Sequence, residues 1–169
     1  MQHTLKISRK IDYGLRAMIF LASVPADAVV PFREIARRMH IPEEFAAKIL
    51  KTLATRGLVR STRGVHGGYS LAKKKSEISF LDVIEAVEGP IVVNLCLDGG
   101  DACKLTPSCT MYAVWKLGQE RMLEVYRKAT LDQLIIQSLP PRLRSALSPD
   151  AASSTVPSRP QGGPGEVAE

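Results

Sequence analysis

The sequence contains no apolar run long enough to cross a membrane. The longest, AMIFLASV, has eight residues, whereas a helix that spans a bilayer needs about 20. The basic N-terminus, MQHTLKISRK, is not followed by the small-residue cleavage pattern that ends a secretory signal. We therefore expect a cytoplasmic protein that does not act at a membrane.

Cysteine is scarce, with three in 169 residues. An odd number cannot pair completely and cytoplasmic thiols stay reduced, so a disulfide framework is not expected. Cys96, Cys103 and Cys109 all lie in NLCLDGGDACKLTPSC, whose Gly, Asp, Pro and Ser residues predict a loop. Their C-x6-C-x5-C spacing leaves three interpretations open: an iron–sulfur cluster, a zinc site, or redox-active thiols.

Acidic residues are fewer than basic ones, 17 against 23, which gives a formal net charge of +6. This balance favours a polyanionic partner, nucleic acid first. The sequence shows no paired acid and base residues for catalysis. Its glycine-rich GVHGG segment is not followed by a helix start, as a phosphate-binding loop requires. We therefore do not expect an enzyme.

Apolar spacing and helix-boundary residues predict three helices and a hairpin in the first half of the chain. The first helix begins near Ser8, the second follows Pro31, and the third follows Pro42 and stops at Gly57. LVRS and YSLA are short strands joined by the glycine-rich turn TRGVHGG. Two helices across a tight turn, followed by a basic hairpin, have the element order of a winged helix-turn-helix.

The second half predicts a fourth helix, a long helix and a short final helix. Ser79 and Asp82 form a capping box at the start of SEISFLDVIEAVEGP, and Thr130 with Gln133 forms another before LDQLIIQSL. Between them, TMYAVWKLGQERMLEVYRKA has apolar side chains at helical spacing. This apolar stripe consists of Met111, Val114, Trp115, Met122, Val125 and Tyr126.

The expected fold is mainly α with a small β-hairpin, a winged helix-turn-helix followed by a long C-terminal helix. We expect a DNA-binding domain in residues 1–90 and a cysteine loop in residues 91–110. The long and final helices occupy residues 110–139. Residues 140–169, rich in Pro, Gly and Ser, bury too little apolar surface to fold and are expected to be disordered.

In a winged helix-turn-helix the third helix enters the major groove and the hairpin contacts the minor groove or the backbone. Glu44 is a candidate acceptor from cytosine, and Lys48 is a candidate donor to guanine or phosphate. Phe45 is assigned to the core by its spacing and kept as a candidate DNA contact, while Arg63 is the candidate for the minor groove. The lysines could instead form an ordinary solvated face. The remaining candidates are Lys51, Thr52, Arg56, Arg60 and His66.

Three segments, IDYGLRAMIFLA, VPFREIARRMHIPEEFAAKILKTLATRGLVRSTRGVHGGYSLAK and ISFLDVIEAVEGP, resemble the Rrf2 family of bacterial transcription regulators. The resemblance covers about Leu5 to Leu139, and RGLVRSTRGVHGGYSLAK is a highly specific motif. It implies a homodimeric repressor that binds double-stranded DNA at a promoter palindrome. The dimerisation helix would be the long helix, from about Thr110 to Lys128.

The resemblance also favours an iron–sulfur cluster, 2Fe–2S or 4Fe–4S, since family members with three cysteines at this place bind one. Cys96, Cys103 and Cys109 match those ligands in order. Some members use a histidine shortly after the third cysteine, where this chain has Tyr112, and others use an acidic residue of the first helix, where it has Asp12. The implied repressor senses nitric oxide, iron or redox state. The alternative is a regulator that uses its cysteines as a thiol switch or zinc site.

Overall fold

The first helix, α1, spans Arg9–Ser23 in the computed structural model, which describes residues 7–98 and 103–135. Ser8 begins it, because the Ser8 side chain accepts a hydrogen bond from the amide of Ile11 at 3.2 Å. Neighbouring helices pack closely against α1, and a Cβ added at Gly14 would lie 2.9 Å from a methyl group of Val87. The predicted start of this helix is confirmed.

Helices α2 (Phe32–Met39) and α3 (Glu43–Thr55) meet at a short turn. His40 makes the turn in the left-handed conformation, with φ 52° and ψ 46°. The amide of Ile41 donates to the carbonyl of Ala36 at 2.9 Å, and the Ile41 side chain is buried, so both backbone and core hold the turn. The predicted pair of helices with a break at HIP is confirmed.

The hairpin, or wing, consists of antiparallel strands β1 (Val59–Thr62) and β2 (Gly68–Leu71), as predicted. The segment before α2 joins the edge of the hairpin, since the amide of Tyr69 donates to the carbonyl of Val30 at 2.8 Å and the amide of Val30 donates to the carbonyl of Tyr69 at 2.9 Å. A Cβ added at Gly68 would collide with the Val30 carbonyl. The wing therefore lies directly against the core domain at this edge.

Helix α4 spans Phe80–Glu88 and begins at the predicted capping box. The Ser79 hydroxyl accepts from the amide of Asp82 at 3.1 Å, and the Asp82 carboxylate accepts from the amide of Ser79 at 2.7 Å. Gly89 follows the helix with φ 93°, a conformation that favours glycine. Both predicted boundaries of this helix are confirmed.

Helix α5 spans Tyr112–Lys128, and the short helix α6 spans Leu131–Leu134 behind a capping box. The chain is tied to the start of α4 at the junction between α5 and α6. There the amide of Leu131 donates to the carbonyl of Ile78 at 2.9 Å. The amide of Phe80 donates to the carbonyl of Ala129 at 2.7 Å. The C-terminal end of α5 is therefore fixed to the start of α4 by backbone hydrogen bonds.

No residue of α5 is buried, and the whole of this helix is described. Met122 and Tyr126 of the predicted stripe are half-buried, and the Tyr126 ring packs on half-buried Phe80 with centroids 5.1 Å apart. The rest of the stripe is exposed, namely Met111, Val114, Trp115 and Val125. Most of the apolar face of α5 thus has no partner among the residues that the structure describes.

The hydrophobic core is formed mainly by α1 to α4 and the start of the wing. The prediction that Phe45 is buried in it is wrong, because this side chain is 42% exposed. Phe45 lies on the first turn of α3, at the margin of the core, where its ring contacts only the Tyr13 ring among the aromatic groups described. The largest fully buried side chains are Met18, Ile35, Ile49, Leu50, Leu53, Ile78, Val83, Ile84 and Leu131.

All described residues belong to one compact unit, Met1–Ser138. The end of the predicted final helix, beyond residue 135, and the predicted disordered tail at 140–169 lie outside the described residues. The proposed boundaries near residues 90 and 110 stay predictions. No helix in the described part of the chain is long and apolar enough to cross a membrane.

Candidate nucleic-acid interface and cysteine loop

The outer face of α3 carries the polar side chains that the sequence assigned to DNA. Glu44, Lys48 and Lys51 are exposed and are not covered by another element. Thr52 is half-buried, and its hydroxyl donates to the Lys48 carbonyl at 3.0 Å, so it still has acceptor capacity for an outside donor. Phe45 stands at the N-terminal end of the same face, where it is exposed. The exposed donors and acceptors of this face are of the kinds that contact base edges in the major groove.

The wing presents a second basic surface. Arg60 on β1 and Arg63 and His66 at the turn are exposed, and Arg56 is exposed at the C-terminal end of α3. Val65, at the tip, is 98% exposed. Since the wing follows α3 directly, its arginines and the lysines of α3 form one cationic chain segment, as a helix in the major groove with a wing beside it requires.

Helix α2 adds three arginines that the sequence interpretation did not single out. Arg37 and Arg38 both donate to the carboxylate of Glu34. These two hydrogen bonds, of which the one from Arg37 has the larger effect, hold the pKa of Glu34 below its ordinary value. Arg33 lies 3.4 Å from the carboxylate of Glu43 at the start of α3. The first helix of a helix-turn-helix crosses the DNA backbone, so these exposed arginines are further candidates for phosphate contacts. The basic run in FREIARRM was the available signal.

The three cysteines are free thiols, and each is half-buried. Cys96 lies in the 3₁₀ turn Leu95–Leu97, and Cys109 lies just before α5, where its carbonyl accepts from the amide of Tyr112 at 3.2 Å. Cys103 follows the undescribed residues 99–102. In the described residues no three His, Cys, Asp or Glu side chains come close enough together to hold a metal ion. The structure therefore places the cysteines in one loop but does not gather their thiols.

Both ends of the cysteine loop are attached to α5. At the far end the loop runs into α5 three residues after Cys109, and at the near end the amide of Val93 donates to the side chain of Gln119 at 2.9 Å. Cys96 follows Val93 by three residues, a chain reach of at most about 10 Å. Cys109 precedes Gln119 by ten residues, about 15 Å along a helix axis. Both described ends of the loop are therefore anchored on the same helix.

Asp12, the candidate fourth ligand, lies in the first turn of α1 and is not grouped with the cysteines. It forms an ion pair with Arg16, in which the Arg16 Nε donates to Oδ1 at 3.2 Å. The Oδ2 atom is buried and accepts no hydrogen bond from the described residues, although Nη2 of Arg16 lies 2.8 Å away as a charge contact. Arg16 also reaches the carbonyl of Met39, the last residue of α2, at 3.5 Å.

The donor set fits an iron–sulfur cluster in its chemistry. Three free thiols of one loop are the soft ligands that such clusters use, and a loop can close around a bound group. The Asp12 carboxylate, whose buried Oδ2 accepts no hydrogen bond from the described residues, would be an oxygen ligand of the kind that leaves one iron reactive. Zinc would accept the same set, so the donors alone do not decide between them.

The fold and the exposed basic face define a winged helix-turn-helix protein, a class that binds double-stranded DNA. Residues 7–137 match the family model Rrf2, described as an iron-dependent transcriptional regulator. The chain therefore belongs to the Rrf2 family and is a DNA-binding transcription regulator. This confirms the resemblance inferred from the sequence, together with the fold class.

Two curated relatives carry regulator names. A Mycobacterium tuberculosis protein named as a helix-turn-helix-type transcriptional regulator is 35% identical over 136 residues, which cover 80% of this chain and 84% of that protein. The helix-turn-helix-type transcriptional regulator IscR of Pectobacterium atrosepticum is 29% identical over 131 residues, covering 78% and 79% of the two chains. Both of these relatives are named as transcription regulators.

Two solved structures share the fold. CymR, the global cysteine regulator of B. subtilis, has a TM-score of 0.64 and 32% identity, over 78% of this chain and 96% of that chain. IscR of T. potens has a TM-score of 0.63 and 29% identity, over 79% and 88%. CymR is named as a cysteine regulator whereas the family model is described as iron-dependent, so the family alone does not determine what this chain senses.

Proposed function

We propose that this chain is a transcription repressor whose affinity for a promoter palindrome is controlled by an iron–sulfur cluster, 2Fe–2S or 4Fe–4S. Cys96, Cys103 and Cys109 would hold the cluster, with Asp12 as fourth ligand. One observation carries the proposal: three free thiols lie in one loop whose two ends are attached to α5. A bound cluster would supply an iron that reacts with nitric oxide or responds to iron supply and redox state.

The repressor would act as a homodimer through α5. The exposed apolar face of this helix supports a second copy as its partner, since an unpaired helix in water does not keep such a stripe exposed. A two-fold dimer presents two copies of α3 to half-sites about 34–36 Å apart, one turn of DNA. A cytoplasmic location follows for a protein that binds bacterial promoters. In that dimer Asp12 could belong to the partner's cluster site.

The contacts of Asp12 suggest how the cysteine site would communicate with DNA. In the described conformation its carboxylate holds Arg16, and Arg16 reaches the carbonyl of Met39 at the helix-turn-helix turn. A carboxylate that serves as a metal ligand has less negative charge left for an arginine. Arg16 would therefore transmit the state of Asp12 to the end of α2, and so to the orientation of α3.

A thiol switch or zinc site is the second candidate. The observation that favours it is the half-buried, unpaired state of all three thiols, since partly accessible thiols can be oxidised or can bind zinc. Both candidates use the same residues, but they differ in the inorganic content of the purified protein.

The deciding experiment is anaerobic purification of the full chain, followed by iron, acid-labile sulfide and zinc analysis. We expect iron and sulfide in similar amounts. DNA affinity of the loaded protein and of the chelator-treated protein, measured at one salt concentration on the same duplex, should differ at least fivefold, the lower end of typical coupling between sites.

A variant with all three cysteines changed to serine is the control, and it should bind like the chelator-treated form whether or not iron is supplied. Zinc without sulfide would favour the second candidate. Equal DNA affinity of the loaded and chelator-treated forms would contradict control by a cluster.

A further inference from the structure

The recognition helix carries an aromatic side chain that the core does not use. Phe45 is 42% exposed, whereas its neighbour Ala46 and the residues one and two turns on, Ile49 and Leu53, are buried. Leaving a phenylalanine this exposed forgoes part of the free energy that its full burial would supply. The other exposed large apolar side chains in the described residues lie outside α3. Phe45 is therefore an isolated exposed apolar side chain on its helix and is separate from the apolar face of α5.

The Phe45 ring is nevertheless held in place. Tyr13 of α1 meets it edge to face, with ring centroids 5.9 Å apart and an angle of 61° between the ring planes. Tyr13 is itself half-buried and packs against the core. One side of the Phe45 ring is thus fixed while the other faces outward, and a ring fixed in advance loses little conformational entropy when it binds.

The surroundings of Phe45 are polar, which narrows its possible partners. Glu44 precedes it and Lys48 follows one turn later, and both side chains are exposed. In a helix-turn-helix the N-terminal residues of the recognition helix contact the base edges. The one apolar group on the base edges of the major groove is the C5-methyl group of thymine.

We infer that Phe45 contacts the methyl group of a thymine in each half-site of the operator, with Tyr13 as the residue that positions its ring. This inference rests on the proposed use of α3 as the recognition helix, and it adds a thymine to the bases that this helix would recognise in each half-site. It predicts that DNA affinity falls when the methyl group of one thymine is removed from each half-site. The phosphate contacts do not depend on the sequence and would not produce such a loss.

The test replaces each thymine of a bound duplex, one at a time, by uracil, which differs only in the missing methyl group. The duplex is selected from a random-sequence pool with the full-length protein. For the wild type, one uracil position in each half-site should weaken binding about fourfold, which corresponds to one methyl group buried at the interface. Phe45→Ala should bind the thymine duplex more weakly and show no penalty at that position.

Three further variants separate a direct contact from a general effect. Phe45→Leu keeps an apolar side chain and should retain part of the uracil penalty. Tyr13→Leu should reduce the penalty with little change in the salt dependence of binding. Lys48→Ala should weaken binding to every duplex while the uracil penalty stays.

A uracil penalty of equal size in wild type, Phe45→Ala and Phe45→Leu would overturn the inference, as would the absence of any penalty in the wild type. Failure of the proposed function has a different signature. If Glu44→Ala, Lys48→Ala and Lys51→Ala all bound the selected duplex as the wild type does, α3 would not be the recognition helix.

Discussion

Asp12 shows how one side chain can be prepared for two partners. Its Oδ1 accepts a hydrogen bond from Arg16, while its buried Oδ2 accepts none from the described residues. The two side chains are more than a third exposed, so their ion pair contributes little to stability. A weak ion pair is easily exchanged for a stronger ligand, which suits a residue that would respond to a bound group.

Substituting Asp12 by alanine tests this assignment. Because the ion pair is partly exposed, the free energy of unfolding of the protein without iron should change by less than about 1 kcal/mol. The visible absorption of the anaerobically purified protein should decay faster in air than that of the wild type, because one ligand is missing.

Asp27→Ala is the matched control, since Asp27 is an exposed carboxylate in the loop after α1. Its absorption should decay at the wild-type rate. Identical decay in Asp12→Ala and in the wild type would remove Asp12 from the site.

Among the elements, the wing depends on a close approach between backbones. Gly68 lies so near the Val30 carbonyl that no side chain fits between them. The same segments exchange two backbone hydrogen bonds through Tyr69. The GG pair in the sequence predicted a turn, but it gave no sign of this contact, because Val30 is 38 positions away along the chain.

Gly68→Ala should therefore lower the free energy of unfolding by about 1–3 kcal/mol, as overpacking does. It should also weaken DNA binding, because β2 must shift and the wing arginines move with it. Thermal unfolding and DNA titration measure the two effects. Ser61→Ala, at an exposed position of the wing, should leave both near the wild-type value, and an equally stable Gly68→Ala protein would contradict the close approach.

The sequence predicts the elements well where the signals are local. Ser8, the Ser79–Asp82 capping box and Gly89 mark boundaries that the structure confirms. The prediction that Phe45 is buried was wrong because helical spacing shows which face of α3 is apolar but not how far along that face the neighbouring helix extends. The attachment of Val93 to Gln119 could not be predicted either, because the two residues are 26 positions apart and share no periodic pattern.

At the scale of the whole molecule, most of the apolar face of α5 has no partner among the residues that the structure describes. Val114 is 71% exposed on this face, and Trp115 beside it is exposed as well. Burying a stripe of this kind against a second copy would supply the apolar area that stable dimers need.

Val114→Lys should convert the proposed dimer into a monomer, because each dimer would then bury two unpaired charges. Sedimentation should show a dissociation constant raised on the order of 100-fold, the effect expected at a central interface position. Ala113→Lys introduces the same side chain at an exposed position on the opposite side of α5 from the stripe and should leave the dimer intact. A dimer unaffected by Val114→Lys would place the interface elsewhere.

The hydrogen bonds at the junction of α5 and α6 have a mechanical consequence. They fix one end of a helix of 17 residues, about 25 Å long, to the DNA-binding domain, while Cys109 adjoins its opposite end. If the helix moves as a rigid body about that end, a small displacement of the cysteine loop would tilt the whole helix. In a two-fold dimer each tilt would be doubled, and the distance between the two copies of α3 would change while each DNA-binding domain stays intact.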